Sequence, residues 1–293
     1  MLQHYVKPRR ENRAEYGGLT SVVISMVIVV KVGDKVMGDA FSEGALTDFE
    51  ALTHQSPIVL VHGGGNTVTG IAEKLGVHQR FVTSPEGFRS RYTDAETIQI
   101  YTMVMAGKVN KQIVMQLLSR KIPAVGLSGL DGSLIRAERK RKLIIKDERG
   151  RKRAIDGGYT GMITHTDGTL LRTLISSGYV PVIAPIALGS EGEPLNIDGD
   201  RTAAHVAAAL QADVLLLITD VGGVSLQIGI ARHLTVDEAK KSLPNLGPGM
   251  ITKVYAALEA LSKGVGKVVV ASGKGAAPYT AAINGESGTL ITP

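Results

Sequence analysis

A chain of 293 residues with 44% apolar and 20% charged side chains can build a full hydrophobic core, in one large domain or two lobes, and is not a disordered chain. Its 33 Lys+Arg against 27 Asp+Glu leave a formal charge of +6. The lack of cysteine excludes disulfides, thiolate zinc sites, iron–sulfur clusters and cysteine nucleophiles.

Residues 1–25 are polar, basic and irregular, and Met26 stands where the first strand pattern starts. They read as an N-terminal extension: a loose tail, an oligomerisation arm or a miscalled start. The apolar run 22–30 follows Lys7, Arg9, Arg10 and Arg13, as a signal peptide would. Lys31 closes it without a small-residue cleavage site, and it is far short of the ~20 residues that span a bilayer. Residues 27–32 read as a buried strand of a cytoplasmic protein.

From Met26 onward, near-continuous apolar runs predict strands over 26–32, 57–61, 123–127, 180–184, 214–219, 267–271 and 288–291. Helical periodicity fills 66–75, 94–119, 167–177, 200–210, 235–242 and 249–262. Such alternation predicts an α/β protein, a three-layer αβα sandwich with a mainly parallel central sheet. Residues 133–160 break the pattern and read as polar β-hairpins over 133–136, 142–146 and 152–155, with a turn at Glu148-Arg149-Gly150-Arg151. The loop around 189–196 divides the chain into lobes of about 26–190 and 191–293.

Open parallel sheets bind ligands beyond the carboxyl ends of their strands. Four glycine-bearing turns fall there: Lys31-Val32-Gly33-Asp34, His62-Gly63-Gly64-Gly65-Asn66, Thr219-Asp220-Val221-Gly222-Gly223-Val224, and Gly247-Pro248-Gly249-Met250 with Lys253 one turn later. Such loops aim backbone N–H groups at anions, helped by the helix dipole. Any one of them alone also fits a purely structural turn. No Walker motif is present, no G-x-G-x-x-G follows the first strand, and no G-x-S-x-G elbow accompanies the His-Gly-Gly-Gly. Lysines beside two glycine loops suit phosphoryl transfer, which needs positive charge around the migrating group. Asp200 reads both as a helix cap and as a carboxylate holding those lysines in register.

In their order, Lys31-x-Gly33, Val61-His62-Gly63-Gly64-Gly65, Arg91-Tyr92-Thr93, Leu195-Asn196-x-x-x-Asp200, Thr219-Asp220-Val221-x-Gly223-Val224 and Gly249-Met250-x-x-Lys253 resemble the amino-acid kinase family, in its acetylglutamate-kinase branch. The stretch 82–93 resembles archaeal kinases whose glutamate or 2-aminoadipate is tethered to a small acidic amino-group carrier protein of the LysW type. The resemblance implies that Lys31 and Lys253 stabilise the transferring phosphoryl and that Asp200 orients them. It gives Gly64, Gly65, Arg91 and Asn196 to the acyl acceptor. It gives Gly33, Thr219, Asp220, Val221, Gly223, Val224, Gly247, Gly249 and Met250 to ATP, which would arrive with Mg2+ held by phosphates and water rather than by a protein metal site. The 26–190 lobe would bind the acceptor and the 191–293 lobe the nucleotide, in a homodimer or, through residues 1–25, a hexamer. Competing readings are a kinase of free N-acetyl-L-glutamate and a non-catalytic nucleotide-sensing or RNA-binding protein. The low aromatic content speaks against RNA, and no nucleic-acid or membrane partner is expected.

The family's second glycine after Lys-x-Gly is Asp34 here. Its carboxylate would turn away, for example towards Lys35, reach the magnesium, or weaken activity by repelling phosphates. Finally, residues 136–153 hold ten Lys or Arg against three carboxylates, more than the chain's whole surplus. A charge run is ordinarily a solvated face. This imbalance instead predicts that Arg139, Lys140, Arg141 and Lys142 flank the substrate mouth and dock the acidic carrier.

Overall fold

The computed structural model describes residues 26–227 and 229–293, so the expectations for residues 1–25 lie outside the described residues. The central sheet has eight strands in the order His233–Thr235, Thr289–Thr292, Lys267–Ser272, Val214–Thr219, Ile28–Val32, Ile58–His62, Val180–Ala184, Ala124–Ser128. All neighbours pair in parallel except Lys267–Ser272 with Thr289–Thr292. Strands from 26–190 form one half of this sheet and strands from 191–293 the other, meeting where Ile28–Val32 pairs with Val214–Thr219.

Period-two side-chain alternation explains the continuous apolar strands. Ile28, Val30, Val32, Ile58 and Leu60 face one buried layer, while Val29, Val59, Val61, Leu215 and Leu217 face the other. Burying each such side chain is worth about 1.5–3 kcal/mol, which sets the strand register firmly. Helices Glu43–Thr53, Gly65–Lys74, Ala95–Thr102, Asn110–Ser119 and Pro278–Ile283 feed the first layer, and Gly199–Leu210 and Met250–Ser262 the second.

Two expectations shift. The long helix over 94–119 contains a π-helical stretch, Met103–Val109, between its two α-helical parts. Ser133 lies in a 3-10 turn, and the strand after it, Ile135–Arg139, pairs with Gly161–Thr166 in a separate four-stranded sheet. Its buried Ile135 and Ala137 draw it into the core, away from the polar ribbon. That ribbon is Lys142–Lys146 against Lys152–Asp156, closed at Asp147, which accepts the Gly150 and Arg151 N–H groups. It packs beside the short hairpin Phe81–Thr83 with Arg89–Arg91.

Candidate active site

The site is built where Ile28–Val32 and Ile58–His62 end and the helices Gly199–Leu210 and Met250–Ser262 begin. Lys31, the fourth residue of its strand, is 7% exposed; Asp200 is 5% and Lys253 9% exposed. Asp200 Oδ1 lies 2.8 Å from Lys31 Nζ, and Lys253 Nζ donates to Oδ2 at 3.0 Å and Oδ1 at 3.2 Å. One carboxylate thus bridges two buried ammonium groups that come from opposite halves of the sheet. Asp198, two residues earlier, supplies the helix cap by accepting the Arg201 N–H, which frees Asp200 from that task.

The electrostatics follow from this packing. Burial alone would raise the Asp200 pKa, but Lys253 and Lys31 outweigh it and hold it at about 2. Burial lowers the Lys31 pKa, against the pull of Asp200. For Lys253 burial again works downward, yet Asp200 overcomes it and the pKa ends above the usual lysine value. The arrangement presents a net positive, water-poor point between the glycine loops, suited to charge that develops on a transferring phosphoryl group.

The glycine loop His62-Gly63-Gly64-Gly65 runs from strand end into the helix Gly65–Lys74. Gly64 has φ +154°, and a Cβ there would lie 2.7 Å from Met105 Sδ. Only glycine fits such a position. The first N–H groups of a helix have no intrahelical acceptor. Asn66 gives its N–H to Asp34 Oδ2 at 2.6 Å. So Asp34 neither faces Lys35 nor stands loose: it closes the first turn of the glycine-loop helix, and Lys35 pairs instead with Asp220 at 3.8 Å.

Arg91 is buried, its Nη2 donating to Gly65 O (2.7 Å) and Thr69 Oγ1 (2.9 Å) and its Nη1 to Gln79. Asn196 Nδ2 donates to Thr93 Oγ1 at 2.9 Å. Arg91 is therefore engaged with the glycine loop through Gly65 O, whereas Asn196 is tied to the neighbouring Thr93 and Tyr159. Thr93 O accepts the Tyr159 N–H at 2.6 Å, and Arg139 lies over the Tyr159 ring at 4.2 Å, with its Nε on Gly158 O at 2.5 Å. The base of the basic segment is thus one residue removed from Thr93 and Asn196. Arg141 and Lys142 are exposed, whereas Lys140 is half-buried, and burial followed by Arg201 lowers its pKa.

The nucleotide-side candidates gather across the sheet. Gly33 N–H donates to Ile218 O at 3.2 Å, Thr219 Oγ1 to Asp220 at 3.1 Å, and Val224 N–H to Thr289 Oγ1 at 2.8 Å. Gly247 and Gly249 accept the Ile251 and Lys253 N–H groups, which seats Met250 at the start of the Lys253 helix. Val221 and Ile230 are large exposed apolar side chains on this side. Among the described residues, no group of three or more His, Cys, Asp or Glu stands together as a metal cluster.

Several partners escaped sequence reasoning. Arg201 binds Glu259 bidentately, both contacts at 2.8 Å, and His205 meets the same carboxylate at 2.9 Å. This clasp ties the Asp200 helix to the Lys253 helix on the flank of the site. An Arg and a His four apart share a helical face and signal such a pair; Glu259, 54 residues beyond His205, carries no local signal.

Sheet order, glycine loops and a lysine–aspartate–lysine bridge define a phosphotransferase architecture, and the comparisons give it a family. Residues 26–272 match the Amino acid kinase family, and the chain belongs to it. A protein of Cenarchaeum symbiosum is 48% identical over 265 residues, 90% of this chain and 99% of its own length. The LysW-aminoadipate/LysW-glutamate kinase of Metallosphaera sedula is 45% identical over 248 residues, 84% of this chain and 93% of that protein. The crystal structure of smu.665 from Streptococcus mutans shares the fold, with a TM-score of 0.74 at 24% identity over 91% of this chain and 98% of that one.

Proposed function

We propose that the chain transfers the γ-phosphoryl group of ATP to the side-chain carboxylate of 2-aminoadipate or glutamate carried on a small acidic amino-group carrier protein. The observation that carries this reading is the buried Lys31–Asp200–Lys253 bridge between glycine loops. The 45% identity to a kinase named for those two carrier-bound acids supports it. A carboxylate oxygen attacks the γ-phosphorus, the bond to the bridging oxygen of ADP breaks, and an acyl phosphate and ADP leave. No general base is needed, because the nucleophile is already ionised at neutral pH. Lys31 and Lys253 meet the charge that develops in flight, and Asp200 keeps both ammonium groups aimed at it.

In this reading the 26–190 half holds the acceptor through the Gly64 and Gly65 amides, Arg91 and Asn196. The 191–293 half holds ATP at residues 219–224 and 247–250. Magnesium would enter with ATP and neutralise phosphate charge; of the nearby carboxylates, Asp34 is bonded to the Asn66 N–H and Asp220 is paired with Lys35. The basic segment steers the acidic carrier, its exposed Arg141 and Lys142 standing outward from the Tyr159–Thr93 contact. A homodimer would cover the exposed Met103, Met115 and Leu118. Among the described residues, no helix is long and apolar enough to cross a membrane.

The test is a coupled ADP-release assay with free N-acetylglutamate, carrier-bound glutamate and carrier-bound aminoadipate side by side. Turnover of either carrier-bound acid above the free one is expected. The two acids differ by one methylene, worth about 1–3 kcal/mol in a pocket, so use of both is compatible with one site. Turnover of free N-acetylglutamate alone would overturn the carrier reading.

A further inference from the structure

We propose that His62 and Asn110 are positioning residues that aim the Gly64 N–H at the acceptor carboxylate. His62 is fully buried at the end of its strand, and no step of the phosphoryl transfer uses it. Its Nδ1 lies 2.7 Å from Gly63 O. A carbonyl oxygen only accepts, so Nδ1 carries the proton. Burial, reinforced by Lys31 and Lys111, keeps the ring neutral with a pKa near 4. The bare Nε2 then needs a donor, and Asn110 Nδ2 stands 3.2 Å away.

Asn110 is itself fully buried and fixed on every side. Its amide nitrogen donates to Val182 O (2.9 Å) and reaches Leu127 O (3.3 Å), and its oxygen accepts from Lys111 Nζ at 3.1 Å. Lys111 fixes which end of the amide is oxygen; of the two N–H groups, one serves Val182 O and the other His62 Nε2, with Leu127 O sharing at longer reach, and this also fixes the imidazole. The π-helical Met103–Val109 immediately precedes Asn110. That wider stretch sets Met105 and Val109 against Gly64 while turning Asn110 towards His62. Such π-segments recur at functional sites.

Peptide geometry supplies the last link. In a trans peptide the C=O and the following N–H point in opposite directions. An imidazole that holds Gly63 O therefore turns the Gly64 N–H the opposite way, away from the His62 ring. His62 acts through that peptide and touches no substrate.

The inference rests on the proposed acyl-acceptor role of Gly64, and two measurements separate its failure from that of the function. The first needs no turnover: 15N NMR of the wild-type imidazoles at pH 7. His62 should show a neutral ring protonated at Nδ1; an Nε2–H tautomer or an imidazolium would overturn the proposal. The second is kinetic. His62→Leu removes the donor, whereas His62→Asn places an amide N–H near the Nδ1 position. His62→Leu should raise the acceptor KM and lower kcat by about tenfold each, short of the about 10²–10³ for outright loss of a donor. The ATP KM should stay within about twofold, and His62→Asn should recover most of the loss. Equal shifts in both KM values, tracking lost thermal stability and unrelieved by His62→Asn, would mean a merely structural histidine. A wild type that turns over none of the three acceptors would sink the functional reading, while the tautomer result would still decide the geometry.

Discussion

Asp200→Asn keeps the size of the side chain and deletes the one negative charge between two ammonium groups. In the native protein Lys31 and Lys253 lie 2.8 and 3.0 Å from that carboxylate, and none of the three is more than 9% exposed. Solvent therefore screens little of the interaction. Breaking a buried pair by removing one partner costs about 3–5 kcal/mol, because a charge is left buried and uncompensated. Here two charges are left, so the upper half of that range is expected, against a total stability of about 5–15 kcal/mol for a typical domain. Urea denaturation at pH 7 measures the loss, and ADP release should fall by about 10²–10³ or more. The pH dependence gives an independent sign. Without Asp200, burial and mutual repulsion depress the folded-state lysine pKa below its unfolded value. The penalty is then fully present below that folded pKa and is relieved as pH rises through it, so the variant should regain stability towards alkaline pH. A variant that loses less than about 1 kcal/mol and keeps near-normal turnover would refute the bridge as the device that holds the lysines.

The same logic extends to other groups. Lys31→Met and Lys253→Met should each lower kcat by about 10²–10³ with folding retained, and near-normal turnover in either would remove that lysine from the chemistry. His62, at about 4 when folded against an ordinary 6.5, favours protonation of the unfolded chain; stability should fall by roughly 3 kcal/mol as pH drops from 6.5 to 4. Urea midpoints at pH 7, 5 and 4 measure that slope, and His62→Asn should flatten it; an unchanged slope would assign the acid sensitivity elsewhere. Reversing Arg139, Lys140, Arg141 and Lys142 to Glu should sharply raise the KM for carrier-bound acid, spare the ATP KM, and lose its effect as salt rises; equal use of carrier-bound acid would end the docking idea. Asp34→Ala should cost about 0.5–2 kcal/mol by freeing the Asn66 N–H, whereas Asp34→Asn should keep most of that bond; indistinguishable melting curves for the two would show that the contact contributes nothing.

What could be read from the residues alone was what local pattern encodes. Strands such as Val180–Ala184 and Val214–Thr219 are buried on both faces, so their apolar runs end where the strands end. The helix Glu43–Thr53 was legible too, since Ala45, Leu46, Phe49 and Leu52 repeat at helical spacing, yet it drew no prediction. The strand His233–Thr235 carries one buried residue in three and offers no period to detect. Other features have no local cause at all. The short helix Pro278–Ile283 begins where Asp48, on another helix, accepts the Tyr279 and Thr280 N–H groups at 2.7 and 3.1 Å.

The site divides along the same line. Lys31, Asp200 and Lys253, which the fold brings together, are marked in sequence by glycine loops and strand ends. Asp34 is the instructive case: weighed by its neighbours in the chain, it has Lys35 as the nearest partner to turn towards. The fold instead offers it a helix N-terminus 32 residues away, where a carboxylate gains both a donor and a favourable dipole. His62 and Asn110 meet in the same manner, 48 residues apart, through a π-segment that no periodicity announces. In this protein the charged atoms proposed for the chemistry are written in motifs, and the polar atoms that hold the glycine loop are written in tertiary contacts. On the proposal above, that second set decides where the Gly64 N–H points, because a trans peptide holds its N–H opposite to its carbonyl.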